Sequence, residues 1–425
     1  MGRSVAHVFG EDYGTSLYKY GPGWLGGKPE IIENRGYFPR ISRVISEIRG
    51  YEEKEIIVGP DVSKYLESRD ELIRLYYPMR NGIVDRGDER GWIVVKELTR
   101  YGIQKFKPPL EDEKFRDFNG YYVVAALAAQ APRYMYERLI EIHREVEAKT
   151  GLIKAFTIIP QPLAVAIAEG ATTCIVIEGG HGNTQVAPIS RDIIRTALIP
   201  LNRGGSDSNA ITRQILRDLG YSDLAREEKL VTLFKEQAGL IPITLDKAIE
   251  WCRMYPERIS GKFRVPGTMV EIDMEDKVWQ RFLIGEYMFN PAHEIFESYY
   301  TRGFPPPNDT VIGNRIIPGK AKLSEVIRTA VELCAVEIQA ELYKHIILSG
   351  GSFSWKVPKK LSDIAVDAPT KVKIMMKELG LENVNVRMVK DPKYSVWRGT
   401  IVYGAAVPDS YGWDWNVMEG WIFFK

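Results

Sequence analysis

Cysteine is scarce in this sequence: Cys174, Cys252 and Cys334 are the only three in 425 residues. They are odd in number, far apart and set in largely apolar stretches. That argues against a disulfide framework and for reduced, buried thiols in a cytoplasmic setting. Histidine is nearly as sparse, and His7, His143, His181, His293 and His345 never fall at metal-ligand spacing, which argues against a zinc site. Neither sign of charge dominates. The net charge of +1 leaves no global field to draw the protein to nucleic acid or to an anionic membrane. Long apolar runs are missing too: no window approaches the roughly 20 residues of a membrane span, and no signal peptide is expected. GxxxxGK[ST] does not occur, so any bound nucleotide is held by means other than a Walker A loop.

What is present fits a soluble protein of two domains or lobes, with 45% apolar and 27% charged residues. Strand-like and helix-like stretches alternate, which predicts an α/β architecture. "EIIVGPDVSKYLESRDELIRLYYPMRNGIVD" reads as strand, turn, helix and an irregular link. "NGYYVVAALAAQAPRYMYERLIEIHREVEAKTG" reads as two helices, with Pro132 opening the second and Gly151 past its end. "KAFTIIPQPLAVAIAEG" reads as a buried strand meeting Pro160, then a helix from near Pro162 to Gly170. "NRGGSDSNAITRQILRDLGY" starts a helix from a Gly-Ser-Asp cap, and "TRGFPPPNDTVIGNRIIPGK" reads as a surface connection.

Two stretches repeat a pattern. "VFGEDYGTSLYKYGP" (Val8 to Pro22) and "VIEGGHGNTQVAPIS" (Val176 to Ser190) each place acid-x-Gly after an apolar strand, then a turn and a returning strand. The acids are Asp12 and Glu178, and the glycines Gly14 and Gly180. Glycine-rich turns let backbone N–H groups converge on an anion. Two such hairpins, one per lobe, form a clamp for phosphate.

Further motifs make the chain resemble an actin and, within that superfamily, most closely the archaeal actins called crenactins. "DYGTSLYKYGP" is similar to the first actin phosphate loop, "LYYPMRNGIV" to the "KYPxxxGIV" segment, and "IIPQPLAVAIAEG" to the link that carries the hydrolytic glutamine. "VIEGGHGNTQVAPI" is similar to the second phosphate loop, "HIILSGGSFSW" to the adenosine loop, and "KYSVWRG" to "KYSVWIGG". The resemblance implies the actin/Hsp70/sugar-kinase fold: two ribonuclease-H-like α/β lobes, each with a smaller subdomain, and a nucleotide in the cleft between them. It places subdomain IA at 1–37, 81–161 and 398–425, IB at 38–80, IIA at 162–203 and 289–397, and IIB at 204–288.

By the same resemblance, ATP or ADP with Mg2+ is the cofactor. Asp12 and Glu178 hold the metal through water, as suits magnesium, which keeps most of its waters. Gly14, Thr15 and Ser16 supply loop N–H groups and a hydroxyl to the phosphates, and Lys19 adds a point cation. Gln161, set between two prolines, orients the attacking water. Gly180, His181, Gly182, Asn183 and Thr184 form the second phosphate loop. Gly350, Gly351 and Ser352 let backbone approach the adenosine, while Lys235, Glu236 and Lys393 serve adenine and ribose. Asp12, Gln161, Glu178 and His181 are the catalytic candidates. The sequence departs from conventional actins here, which carry aspartates at the positions of Glu178 and His181 and a histidine at that of Gln185. His181 is open between spectator, phosphate donor and part of the water-activating set.

The function implied is that of a cytoplasmic, cytoskeletal ATPase. It polymerises head to tail into helical filaments with slow, assembly-coupled hydrolysis, for cell shape or internal organisation. Its partners would be itself and accessory cytoskeletal proteins, with neither nucleic acid nor a membrane span. Alternatives are a non-polymerising adaptor, a sugar or metabolite kinase of the same fold, and a chaperone ATPase. Arg40 to Glu55, with Ile41, Val44, Ile45 and Ile48 at helical spacing, reads either as an interface or as a cover for its own subdomain.

Overall fold

The structure, a computed structural model, describes residues 3–39, 56–65, 74–265 and 269–425. The segment Arg40 to Glu55 lies outside the described residues, as does 66–73, where a helix is expected. The chain forms two compact units, Met1–Gly170 with Tyr394–Lys425, and Ala171–Lys393.

In the first unit β1 (Val8–Tyr13), β2 (Leu17–Pro22) and β3 (Glu30–Glu33) make an antiparallel meander. β7 (Tyr121–Leu127) and β8 (Ile153–Pro160) continue the sheet from β1 in parallel, and the C-terminal strand Ile422–Phe423 closes its edge antiparallel to β8. Between β3 and β7 in sequence, β4 (Gly36–Tyr37), β5 (Ile57–Val58) and β6 (Leu75–Tyr76) form a small separate sheet. β7 corrects a helical expectation. "YYVVAAL" is buried at all seven positions, the mark of a parallel strand covered on both faces, and that burial overrides the helix preference of its alanines.

The helices are α1 (Glu89–Lys105), α2 (Arg133–Thr150) and α3 (Gln161–Ala168). Asp88 caps α1 by accepting from the Gly91 N–H, and Gly151 ends α2 in the left-handed region at φ 64°. Phe9 packs against Phe106 and Tyr121 in the core shared with α1 and α2. Its neighbour Gly10 faces Trp397 and Thr400 of the helix Ser395–Ala406. Successive strand residues point to opposite faces, so helices cover both sides of this sheet. The helix Ser395–Ala406 also meets α3 so closely that a Cβ on Gly399 would lie 1.8 Å from the Ala164 carbonyl oxygen.

The second unit is built on β9 (Thr173–Gly179) and β10 (Thr184–Ser190), an antiparallel hairpin. β11 (Asp192–Ile193) and β12 (Ile199–Leu201) extend it from β10. Beyond β13 (Lys262–Arg264) with β14 (Glu271–Asp273), and β15 (Thr310–Ile312) with β16 (Arg315–Ile317), two parallel strands complete the main sheet. These are β17 (Ile346–Ser349) beside β9, and β18 (Val386–Met388) beside β17. The proline-rich surface connection is therefore corrected in part: its second half is the β15–β16 hairpin, turning at Gly313 with φ 56°. α4 (Gly205–Asp218) and α5 (Glu228–Ala238) pack against each other, and their Ile211, Ile215, Val231 and Phe234 belong to the buried core of this unit. All three cysteines are free and buried, and burial pushes their thiols up.

Candidate functional site

The repeated sequence pattern becomes a repeated hairpin. β1 and β2 pair Asp12 with Lys19, and β9 and β10 pair Glu178 with Gln185. In each unit the acid closes the strand beside a glycine turn.

In the first unit Asp12 is nearly inaccessible, yet both carboxylate oxygens are engaged. Lys19 Nζ lies 2.5 Å from Oδ2, and Gln161 Nε2 donates to Oδ1 at 2.9 Å and to the Tyr13 carbonyl at 3.4 Å. Pro160, at the end of β8, leads directly into α3, and this junction delivers Gln161 to the acid. The turn is held from several sides. Gly14 N–H donates to the Leu17 carbonyl at 3.1 Å, and a Cβ on Gly14 would meet that oxygen at 2.9 Å. Asn34 donates through Nδ2 to the Gly14 carbonyl at 2.7 Å and through its backbone N–H to the Ser16 carbonyl at 2.8 Å. The Thr15 hydroxyl accepts from the Gly82 N–H at 2.8 Å, which ties the turn to the Arg80–Ile83 bend. That bend carries Asn81 and Gly82 at φ 51° and 78°. Sequence reasoning missed Asn34, which no local motif marks.

In the second unit the turn Gly180–Asn183 closes with Gly180 N–H donating to the Asn183 carbonyl at 2.9 Å. It abuts the start of α4, where Gly205 and Ser206 donate backbone N–H bonds to the carbonyls of Gly180 and His181 at 3.0 and 2.7 Å. Ser352 Oγ donates to the Gly180 carbonyl at 2.8 Å, and Thr184 Oγ1 to the Arg203 carbonyl at 2.9 Å. Gln185 Nε2 donates to Glu178 Oε2 at 3.3 Å. The Gly350 turn sits against β9 at φ 93°, and a Cβ there would lie 2.1 Å from the Gly179 oxygen, so only glycine fits. Lys235 Nζ donates to the Gly205 carbonyl at 3.1 Å, and the adjacent Glu236 faces Lys393 at 3.5 Å in an exposed pair.

Thus the unit brings Gly180 to Thr184, Gly350 to Ser352 and Lys235 to one place, with Glu236 and Lys393 beside it. Gly204 and Gly205 join them: a Cβ on Gly204 would meet the His181 and Gly180 oxygens at 2.6 and 2.8 Å. The Gly-Gly doublet ahead of a helix was a visible signal for these two. Burial is the main cause of the local pKa shifts. It holds the His181 imidazole down to about 4, helped by Lys235 and Arg213, and brings the Lys235 ammonium down to about 8. It also pushes Asp207 up to about 6, although the Gly204 N–H stabilises that carboxylate.

The family model described as Actin matches residues 205–407, from the start of α4 to just past the helix Ser395–Ala406. The match supports membership of the actin superfamily. An actin-like ATPase fold is what the mixed sheets and this match together support. Both glycine turns, and with them Asp12, Gln161 and Glu178, lie outside the matched span. Among the described residues no three His, Cys, Asp or Glu side chains cluster as a metal cage. Each unit offers one carboxyl side chain at the end of a strand, Asp12 in the first and Glu178 in the second, of the oxygen-donor type that suits a hard cation held through water. Among the described residues no helix is long and apolar enough to cross a membrane.

Proposed function

We propose that the chain binds ATP-Mg2+ through its glycine hairpins and assembles head to tail into filaments, with slow hydrolysis coupled to assembly. The observation that carries this reading is the carboxylate of Asp12, buried at the turn and fixed by a lysine and a glutamine. A buried acid with both oxygens directed needs a purpose beyond stability, because desolvating it is costly. Bound Mg2+ would neutralise phosphate charge and organise water, with Asp12 and Glu178 holding its water shell. Gln161 would orient the attacking water, a role supported by the bond its amide donates to that acid beside the Pro160 junction. Lys19 supplies positive charge to the phosphates without leaving Asp12. Gly350, Lys235 and Ser352 make room for, and contact, the nucleoside end. The seat for a terminal phosphate would differ between ATP and ADP, and that difference can bias how copies join. A head-to-tail contact that does not close on itself yields an open helix.

Ultracentrifugation and negative-stain microscopy test the reading. With ATP and Mg2+ the protein should pellet and show filaments, and chelation should return it to the supernatant. A monomer at high concentration that still binds ATP would leave the nucleotide site and remove the filament. Phosphate transfer to a sugar faster than to water would replace the reading with a kinase.

A further inference from the structure

The turn between β1 and β2 departs from an ordinary two-residue hairpin, and Asn34 is the reason. In a tight antiparallel turn the two residues that flank the loop exchange both of their backbone bonds. Here Gly14 N–H donates to the Leu17 carbonyl at 3.1 Å, but the reciprocal bond from Leu17 N–H to the Gly14 carbonyl is not made. That carbonyl is taken by Asn34 Nδ2 at 2.7 Å, and the Ser16 carbonyl by the Asn34 backbone N–H at 2.8 Å. Asn34 directly follows β3, 20 positions along the chain from Gly14, so the neighbouring strand rather than the hairpin itself shapes the turn.

Asn34 is fully buried, and its Oδ1 has no hydrogen-bond partner. A carbonyl can only accept, so the carboxamide must aim Nδ2 at Gly14 and leave Oδ1 over. An unpaired buried acceptor is a cost that an apolar side chain of similar shape avoids. What the side chain contributes in return is that one donor.

The donor acts through peptide geometry, because a trans peptide points its N–H opposite to its carbonyl. With the Gly14 carbonyl turned to Asn34, the Thr15 N–H faces away from that side chain. With the Ser16 carbonyl turned to the Asn34 backbone, the Leu17 N–H faces away from β3. The N–H groups of Thr15 and Ser16 have no acceptor among the described residues. Successive N–H groups left open by a turn form an anion-binding concavity. This one borders the Asp12–Lys19 pair.

We propose that Asn34 is a positioning residue for phosphate: by occupying the Gly14 carbonyl it stops the β1–β2 turn from closing on itself, and so keeps the Thr15, Ser16 and Leu17 N–H groups open to the polyphosphate chain of the nucleotide. This rests on the nucleotide-binding reading above. Without the Asn34 amide, the Leu17 N–H can close on the Gly14 carbonyl, and the turn withdraws a donor.

Calorimetry with tripolyphosphate-Mg2+, ATP-Mg2+ and adenosine, on wild type and N34L, tests the assignment. Leucine keeps the approximate shape and removes the donor. N34L should bind tripolyphosphate and ATP about tenfold more weakly, the loss of one oriented hydrogen bond, and bind adenosine as wild type does. Equal weakening for all three ligands would make Asn34 a packing residue, and no weakening would remove it from the site; either result overturns the proposal. Should N34L fail to fold, amide exchange of the wild-type protein, resolved to single residues, decides. The Leu17 N–H should exchange readily in the free protein and become protected by tripolyphosphate but not by adenosine. A Leu17 N–H already protected in the free protein, or still unprotected with tripolyphosphate bound, overturns the proposal. A wild-type protein that binds neither ATP nor tripolyphosphate is a separate result; it overturns the nucleotide reading first and this inference with it.

Discussion

At the scale of single residues, Gln161 shows how one side chain can serve two masters. Its amide donates to Asp12 and sits at a strand-to-helix junction that cannot swing, being bracketed by Pro160 and Pro162. Gln161→Ala should slow ATP turnover by roughly a hundredfold, the cost of losing a positioned group, while ATP affinity changes little. Single-turnover hydrolysis and equilibrium binding measure the two separately, and a collapse in affinity would show that the amide holds ligand rather than water. The residues legible from sequence were those in motifs, Asp12, Gln161, Gly180 and Gly350 among them. Thr15 was legible as part of the first turn, whereas the bond its hydroxyl accepts from the Gly82 N–H was not. A partner 67 positions along the chain leaves no trace in local spacing.

Elements follow a different logic, because their type depends on what covers them. The hairpins β1–β2 and β9–β10 were legible, since alternating apolar strands around glycine turns leave few other solutions. β7 was not. Its "YYVVAAL" has no polar face to betray a period, and a continuous apolar run fits a buried strand or a buried helix equally well. The β15–β16 hairpin hid among prolines that stand before it rather than within it. The Gly350 turn offers a paired test of how β17 is fastened to β9. Gly350→Ala must find room beside the Gly179 oxygen and adopt φ 93°, and should destabilise by about 2 kcal/mol or more. Gly351→Ala, whose Cβ would meet nothing within 4 Å, should stay within about 0.5 kcal/mol of wild type. Chemical denaturation compares them, and equal losses would contradict the packing described.

On the scale of the whole molecule, buried ionisable groups set how stability varies with pH. Glu286 and Lys371 form an ion pair of 2.7 Å in the second unit, both almost fully buried. Burial pushes the Glu286 carboxyl up to about 7, against the pull of Lys371, and Asp207 to about 6. Folded values above the ordinary ones mean that the folded chain binds more protons through that window. Their contribution to stability therefore falls as pH rises from about 4.5 to about 7. His181, held down to about 4, acts in the opposite sense between that value and 6.5. With two carboxyls against one imidazole, the melting temperature should drop between about pH 5 and 7.5. The double variant Glu286→Gln, Lys371→Met should flatten the drop, and an unchanged slope would remove Glu286 as its source.

The first unit takes its sequence from both sides of the second, and this sets the order in which it can be finished during synthesis. A ribosome delivers β8 and α3 long before the helix Ser395–Ala406 and the strand Ile422–Phe423 that cover them. Until then one sheet edge stays open, and the Ala164 carbonyl lacks the glycine that later presses against it. The nascent half-lobe is thus a natural client for chaperones, while Ala171–Lys393, contiguous in the chain, can complete itself first.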